Sequence, residues 1–95
     1  MSEEITKSSG NVFLDMGFSD EEAAILQMRA DLMAKLRQVI KRKKLTQTKA
    51  AKMLGVSQSR VSDLVRGKWE KFSLEMLITL ATRASLHVTL RTTAR

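Results

Sequence analysis

Five polar side chains in the middle of the chain are of the types that recognise nucleobases. Gln58, Ser59 and Arg60 are consecutive, and Ser62 and Asp63 follow about one helical turn later. In the major groove Gln can hold adenine N6 and N7, and Arg can hold guanine O6 and N7. Ser can bind either base, whereas Asp63 can accept from cytosine N4 or simply repel misplaced phosphates. Side chains of these types could bind base edges if one helix presented them together, and we call these five residues the candidate base-reading set.

The residues around this set have the spacing of two short helices that cross steeply. The segment 47–64 reads QTKAAKMLGVSQSRVSDL. The small side chain of Ala51 permits close approach of two backbones, and Gly55 tolerates the positive φ of a tight turn. Val61 and Leu64 are spaced to point inward. This pattern predicts that the second helix presents the base-reading set to solvent.

Capping residues and apolar periodicity predict four helices. Ser19 and Glu22 have the spacing of a capping box, and apolar residues then recur every three or four positions. Thr46, Ser57 and Ser73 are further N-cap candidates. The predicted helices are Asp20–Lys43, Gln47–Leu54, Gln58–Arg66, and one from the Ser73 cap to about Ala84.

Two flanking segments are predicted as short strands. Asn11–Met16, with the sequence NVFLDM, has bulky apolar residues that suit a strand or a packed arm. The segment 86–93 alternates apolar and polar residues, as a half-buried strand does. Its apolar residues are Leu86, Val88 and Leu90. We expect Val12–Asp15 to pair with Val88–Thr92, within or between subunits. The expected fold class is mainly α, with short N- and C-terminal β-strands.

Charge is distributed unevenly along the 95 residues, whose net charge is +7. Residues 1–34 hold two basic and seven acidic side chains, whereas residues 35–95 hold fifteen basic and three acidic ones. A polyanion is therefore attracted to the second part and repelled by the first. We expect a single domain over residues 11–95, preceded by a disordered tail over residues 1–10.

Several classes of function are disfavoured by what the sequence lacks. Without cysteine there is no disulfide, thiolate zinc site or cysteine nucleophile. His87 is the single histidine and is expected to be a polar strand residue, so we predict no metal site. No nucleophile–base pair or phosphate loop is present, which argues against an enzyme or a bound cofactor. No run is long and apolar enough for a membrane span, and we expect a cytoplasmic, nucleoid-associated protein.

The segment LTQTKAAKMLGVSQSRVSDLVRGKWEKFSLEMLITLA resembles the helix-turn-helix of the phage repressor, Cro and Xre-type regulator family. The resemblance covers residues 36–84 and includes a glycine turn after the reading helix, at Gly67. It implies a lambda-repressor-like domain of four to five helices that reads double-stranded DNA with α-helical side chains in the major groove. It also implies a homodimer on a palindromic operator, and no cofactor. The family usually has a longer polar residue near Ser59.

The resemblance also implies roles for residues outside the base-reading set. Phosphate contacts, which give affinity and position but no sequence preference, are expected from polar and basic residues flanking the reading helix. These residues are Thr46, Gln47, Lys49, Ser57, Arg66, Lys68 and Lys71. Dimer contacts are expected from Leu86, Val88 and Leu90. Trp69 can pack on the core or touch the DNA backbone, and the basic run Lys41–Lys44 can contact DNA or simply be solvated.

The flanking segments NVFLDMGFSDEEAAILQMRADL and LHVTLRTTAR resemble compact antitoxins of the HigA type. This resemblance implies a repressor that autoregulates its own operon and a small RelE/HigB-like ribonuclease toxin as partner. The alternative is a protein-interaction module whose main role is to neutralise such a partner. Its acidic stretch Asp15–Asp31, with Phe13 and Phe18 nearby, would face a basic surface. Met28 and Met33 fill a helix core or line a groove for that partner.

Overall fold

A computed structural model of the protein describes residues 11–94. Within them the regular elements are five α-helices and one 3-10 helix. They are α1 (Val12–Asp15), α2 (Asp20–Arg42), α3 (Gln47–Leu54), α4 (Gln58–Val65), the 3-10 helix (Trp69–Lys71) and α5 (Leu74–Arg83). The long helix α2 packs against α1, α4, α5 and the 3-10 helix, so it supports both ends of the molecule. The tail predicted over residues 1–10 lies outside the described residues.

Helix α2 begins at the predicted capping box. Ser19 Oγ accepts a hydrogen bond from the Glu22 backbone N–H at 3.2 Å, and Glu22 Oε1 accepts one from the Ser19 backbone N–H at 3.2 Å. The predicted capping box is confirmed. Because the first turn carries three carboxylates, it also suits the positive end of the helix dipole. The helix ends at Arg42, one residue before the predicted Lys43, which is the C-cap.

The other predicted N-caps form in the same way. The hydroxyls of Thr46, Ser57 and Ser73 each accept from a backbone N–H three residues ahead, at 3.1, 3.1 and 3.0 Å respectively. Each cap satisfies one of the N–H groups that a helix start leaves without a partner. The helices they begin are therefore short and sharply bounded, which fixes where α3 and α4 point. Helix α5 ends at Arg83, with Ala84 as its C-cap.

The predicted N-terminal strand is wrong, because this segment is the helix α1. Asn11 Oδ1 accepts from the Phe13 backbone N–H at 2.9 Å, and its Nδ2 donates to the Ala23 carbonyl at 3.1 Å. The first bond caps a helical turn and the second ties that turn to α2. Phe13 is buried in this arrangement, whereas Val12 and Leu14 remain exposed. The Asn11 side chain therefore caps this apolar segment as a helix. The strand prediction did not take this cap into account.

The predicted C-terminal strand over residues 86–93 is also absent from the described residues. A strand needs a neighbour for its backbone N–H and C=O groups, and the expected neighbour Val12–Asp15 is helical. The Leu86 N–H instead bonds the Ala81 carbonyl at 2.9 Å and closes the end of α5. Leu86 packs against the core, while Val88 and Leu90 remain exposed. The predicted pairing of the two segments is therefore wrong.

One hydrophobic core joins α2, α3, α4 and α5. Its eight largest fully buried side chains are each less than 2% exposed. They are Met33, Leu36, Leu54, Val61, Leu64, Phe72, Leu77 and Leu80. Helix α3 packs against α4 and α5, and α4 also packs against α2, so α4 is supported by two other helices.

A second, smaller cluster attaches α1 to the rest of the fold. Phe13, Phe18 and Trp69 meet edge to face, with ring centroids 5.3 to 6.5 Å apart. We call these three residues the aromatic cluster. It rests on Ala23 and Leu26 of α2. Trp69 also touches the main core, so the cluster links α1 to the segment that follows α4.

Candidate nucleic-acid interface

The turn between α3 and α4 depends on Gly55. Its φ of +71° lies in the left-handed region, where glycine is favoured over other residues. Its N–H donates to the Ala51 carbonyl at 2.8 Å, and the Val56 N–H donates to the same oxygen at 3.0 Å. Ala51 is buried at the crossing, and Val61 on α4 is fully buried. Leu64 is also buried, so Ala51, Val61 and Leu64 all lie in the core while Gly55 forms the turn.

An arginine from α5 completes this turn, and no pattern in the sequence pointed to it. Arg83 Nη1 donates to the Leu54 carbonyl at 2.8 Å, at the C-terminal end of α3. A Cβ added to Gly55 would lie 3.0 Å from the same Nη1. The guanidinium therefore satisfies a carbonyl that α3 leaves free, and it occupies space next to the glycine. The two residues of the hydrogen bond are far apart in sequence, so no local signal could have revealed it.

Helix α4 presents a polar face opposite the core. Val61 and Leu64 are buried, while Gln58 and Ser59 at its first turn are exposed. Ser62 and Asp63 are partly exposed one turn later. Because the first turn of a helix in the major groove reaches the base edges, Gln58 and Ser59 have the freedom that base contact requires. The structure thus brings four of the predicted base-reading residues to one exposed surface.

Arg60 is placed differently from the other four. Its Nη1 donates to the Lys71 carbonyl at 2.9 Å, and its Cζ lies 5.3 Å from the centroid of the Phe72 ring. The side chain therefore lies along the segment that follows α4, and Phe72 itself is buried in the core. A cation over an aromatic face is attracted by the ring quadrupole. The sequence contained no sign of this contact between positions 60 and 71.

The seven predicted phosphate contacts surround the exposed face of α4. Six are exposed and Lys68 is partly exposed. They lie at the start of α3 (Thr46, Gln47, Lys49), at the start of α4 (Ser57) and just after it (Arg66, Lys68, Lys71). The two capping hydroxyls already accept backbone hydrogen bonds, but each keeps its O–H as a donor. These residues therefore lie before, at the start of and after α4.

The charge of residues 46–72 differs from that of α1 and the first part of α2. Residues 46–72, which contain α3, α4 and the 3-10 helix, hold six Lys or Arg side chains and two acidic ones. The described carboxylates of α1 and of the first part of α2 are all exposed. They are Asp15, Asp20, Glu21, Glu22 and Asp31. A polyanion would therefore be oriented toward α4 and away from α1.

Comparison with known proteins agrees with this geometry. Residues 12–93 match the model of a family described as "Helix-turn-helix domain". The chain belongs to this helix-turn-helix family. The helix-turn-helix chain is also 35% identical to a solved structure entitled "Putative XRE Family Transcriptional Regulator", with a TM-score of 0.73 over 78% of this chain and 83% of the other. The predicted resemblance to Xre-type regulators is confirmed. No curated protein matches the chain significantly.

The remaining predicted residues are distributed over the rest of the helix-turn-helix protein. Met33 is in the core, whereas Met28 is exposed, and Trp69 packs in the aromatic cluster. The basic run Lys41–Lys44 is exposed at the end of α2. Within residues 11–94, no three His, Asp or Glu side chains gather as a metal-binding group. Over the same range, no helix is both long and apolar enough to cross a membrane.

Proposed function

We propose that the chain is a sequence-specific, DNA-binding transcriptional repressor that reads the major groove with α4. The observation that carries this proposal is the exposed polar face of α4, supported by a buried inner face and flanked by cations. Membership of a helix-turn-helix family and likeness to a solved structure with a regulator's title support it. The protein would act in the cytoplasm, on the nucleoid.

In this proposal the exposed residues have separate tasks. Gln58 would hold an adenine edge, Ser59 or Ser62 would contact either base type, and Asp63 would accept from cytosine. Phosphates would be held at the starts of α3 and α4 and by the lysines after α4, which sets the position of α4 along the duplex. Because these contacts release counterions, binding should weaken steeply as salt is raised.

A second copy of the chain is part of the proposal, because one reading helix covers too few base pairs to select a site in a genome. We place the dimer contact at the C-terminal segment, where Val88 and Leu90 are exposed. They line an open apolar groove together with Met28, Leu32 and Ile78. The backbone of this segment has no strand partner within the described residues, so it offers an edge to a symmetric copy. Two α4 helices about one helical turn of DNA apart would then read a palindromic operator.

Neutralisation of a small, basic RelE/HigB-like ribonuclease toxin is the second candidate function, and α1 carries the observation in its favour. Val12, Leu14 and Met16 are exposed there, close to the carboxylates that begin α2. A cleft beside the aromatic cluster contains Arg29, whose Nε is buried without a hydrogen-bond partner in the described structure. A bound protein would cover the apolar residues and supply an acceptor for that nitrogen. Both functions would combine in an antitoxin that represses its own operon.

The first function is tested by selecting duplexes from a random pool with the purified full chain. The selected duplex and a scrambled duplex of equal composition are then compared in gel shifts. Gln58→Ala should reduce the preference for the selected duplex by about 5- to 150-fold, since a good bidentate pair discriminates by about 1–3 kcal/mol. Gln38→Ala, which removes an exposed glutamine from α2, is the matched control and should change nothing. Unchanged binding by Gln58→Ala and Ser59→Ala would show that α4 is not the reading surface.

The second function is tested by co-expression with the product of the adjacent reading frame. Leu14→Asp and Met16→Asp should abolish co-purification of a small basic protein, because they place charge in the exposed apolar surface of α1. They should leave duplex binding intact, since α1 lies outside the α4 surface. Co-purification that survives both substitutions would rule out α1 as the binding site.

A further inference from the structure

Arg60 is partly exposed and is held against the protein at two points, although its residue type suggested a base-reading role. Its Nη1 lies 2.9 Å from the Lys71 carbonyl oxygen, and its guanidinium carbon lies 5.3 Å from the Phe72 ring centroid. A guanidinium can make both contacts at once because it is planar and has several N–H donors. Phe72 is 1% exposed, so the aromatic face under the cation is fixed by the core.

The segment that Arg60 holds is the loop carrying two of the candidate phosphate contacts. We call residues 67–71 the basic loop, since it contains Lys68 and Lys71. Its first end is set by a turn at Gly67, whose φ is +73°, and by a hydrogen bond of 3.0 Å from the Lys68 N–H to the Asp63 carbonyl. Its last residue is the one whose carbonyl accepts from Arg60. The loop is thus anchored to α4 at both ends.

We propose that Arg60 is a positioning residue, which orders the basic loop so that Lys68 and Lys71 meet the DNA backbone, and that it does not read a base. This assignment rests on the proposed function, in which α4 enters the major groove. Fixing the loop before binding removes part of the ordering cost that two flexible lysines would otherwise carry. The bases would then be read by Gln58, Ser59, Ser62 and Asp63.

The charge around the basic loop agrees with this role. The Arg60 guanidinium donates to the main-chain carbonyl of Lys71, so it lies against the loop that contains Lys68 and Lys71. The basic loop contains one acidic residue, Glu70, which is exposed in the same 3-10 helix as Lys71. Residue 60 and the basic loop together hold three cations and one carboxylate, and this net positive charge attracts phosphate. If Arg60 orders Lys68 and Lys71, it contributes to binding at any DNA phosphate, whatever the base sequence.

The test is a double-mutant cycle on two duplexes. Arg60→Ala, the pair Lys68→Ala and Lys71→Ala, and the triple variant are compared with the wild-type chain on the selected and the scrambled duplex at several salt concentrations. Arg60→Ala should weaken binding to both duplexes by a similar factor. It should also reduce the salt slope by about 0.9 for each DNA phosphate that the variant no longer neutralises. When both lysines are absent, Arg60→Ala should have little further effect, because its action passes through them.

Arg66→Ala is the matched control, since it removes one exposed cation from the C-cap of α4. Its effect should persist undiminished when both lysines are absent. Arg60→Lys keeps the charge but cannot reproduce the planar contact with Phe72, so it should behave like Arg60→Ala. Amide chemical shifts of Lys71 and Phe72 should move in both Arg60 variants and stay in place in Arg66→Ala. Circular dichroism verifies that each variant is folded.

Two distinct results would overturn the assignment of Arg60 as a positioning residue. If Arg60→Ala reduces only the preference for the selected duplex, by about 5- to 150-fold, and leaves scrambled binding and the salt slope unchanged, Arg60 reads a base. The proposed function then stands and the positioning role does not. If the wild-type chain binds neither duplex, the proposed function itself fails and the role of Arg60 fails with it.

Discussion

The surface around α4 and the surface around α1 differ in what they expose. At α4 the exposed side chains are mostly polar or cationic, and the helix beneath them rests on fully buried Val61 and Leu64. At α1 only Phe13 is buried, and large apolar side chains such as Val12 and Met16 face solvent. A polar ligand such as DNA needs the first kind of surface, held rigid from below. An exposed apolar surface of the second kind suits contact with another protein.

The largest expected effect on stability comes from removing a core side chain of α3, the helix that packs against α4. Leu54→Ala should lower the free energy of unfolding by about 2–5 kcal/mol, because Leu54 is fully buried and the substitution leaves a cavity. Leu14→Ala, at a residue that is 42% exposed on α1, is the control and should change stability by no more than about 0.5 kcal/mol. Urea unfolding followed by circular dichroism measures both. Similar losses would mean that α1 is as integral to the core as α3.

The next largest effect on stability is expected at Gly55, in the turn between α3 and α4. Gly55→Ala and Gly67→Ala both place alanine at nearly equal φ, +71° and +73°, which costs roughly 1–2 kcal/mol. At Gly67 the new Cβ would meet its nearest neighbour at an ordinary 3.5 Å, whereas at Gly55 it would lie 3.0 Å from Arg83 Nη1. Gly55→Ala should therefore cost about 1 kcal/mol more, through loss of the Arg83–Leu54 hydrogen bond. In an Arg83→Ala background, thermal unfolding should show this difference disappear.

Two helix caps, one at the start of α4 and one at the start of α2, can be removed with an equal expected loss of stability. Ser57→Ala and Ser19→Ala each remove a hydroxyl that accepts from a backbone N–H, so each should lose about 1 kcal/mol of stability. DNA affinity should fall in Ser57→Ala and stay unchanged in Ser19→Ala, since only Ser57 borders the α4 surface. Equal loss of affinity in both variants would mean that binding reports overall stability and not the local geometry of α4.

The smallest effect on folding, and the clearest on assembly, is expected at the C-terminal segment. Leu90 is 84% exposed, so Leu90→Asp should leave monomer stability within about 0.5 kcal/mol of wild type. It should nevertheless shift sedimentation from dimer to monomer, because it places a charge in the proposed contact between copies. Gln38→Glu adds a negative charge at an exposed position of α2, outside the C-terminal segment, and is the control. A wild-type chain that sediments as a monomer would contradict the dimer directly.

Local signals in the sequence were sufficient for the helices and insufficient for the ends of the chain. Ser19, Thr46, Ser57 and Ser73 act on backbone groups three residues away, so each helix start could be predicted from a short window. The segments flanking these helices were wrongly predicted as strands. Alternation in residues 86–93 reports which side chains are apolar but not whether a neighbouring strand exists.

The interactions that the sequence did not reveal join residues distant along the chain. Arg60 reaches Lys71, and Arg83 reaches Leu54, through hydrogen bonds that depend on how the helices pack. An arginine in a reading helix has the same sequence signature whether it faces a base or a neighbouring loop. The types of residue in the candidate site were therefore predictable, while the orientation of Arg60 required the three-dimensional arrangement.

Trp69 is the single tryptophan of the chain and belongs to both surfaces compared above. Its ring contacts Phe13 and Phe18 on one side, and its backbone begins the 3-10 helix that ends at Lys71 on the other. The protein thus contains an intrinsic fluorophore at the junction of its acidic and basic halves. A ligand that reorganises either half should change the intensity or wavelength of its emission, so one optical signal can follow both kinds of association without a label.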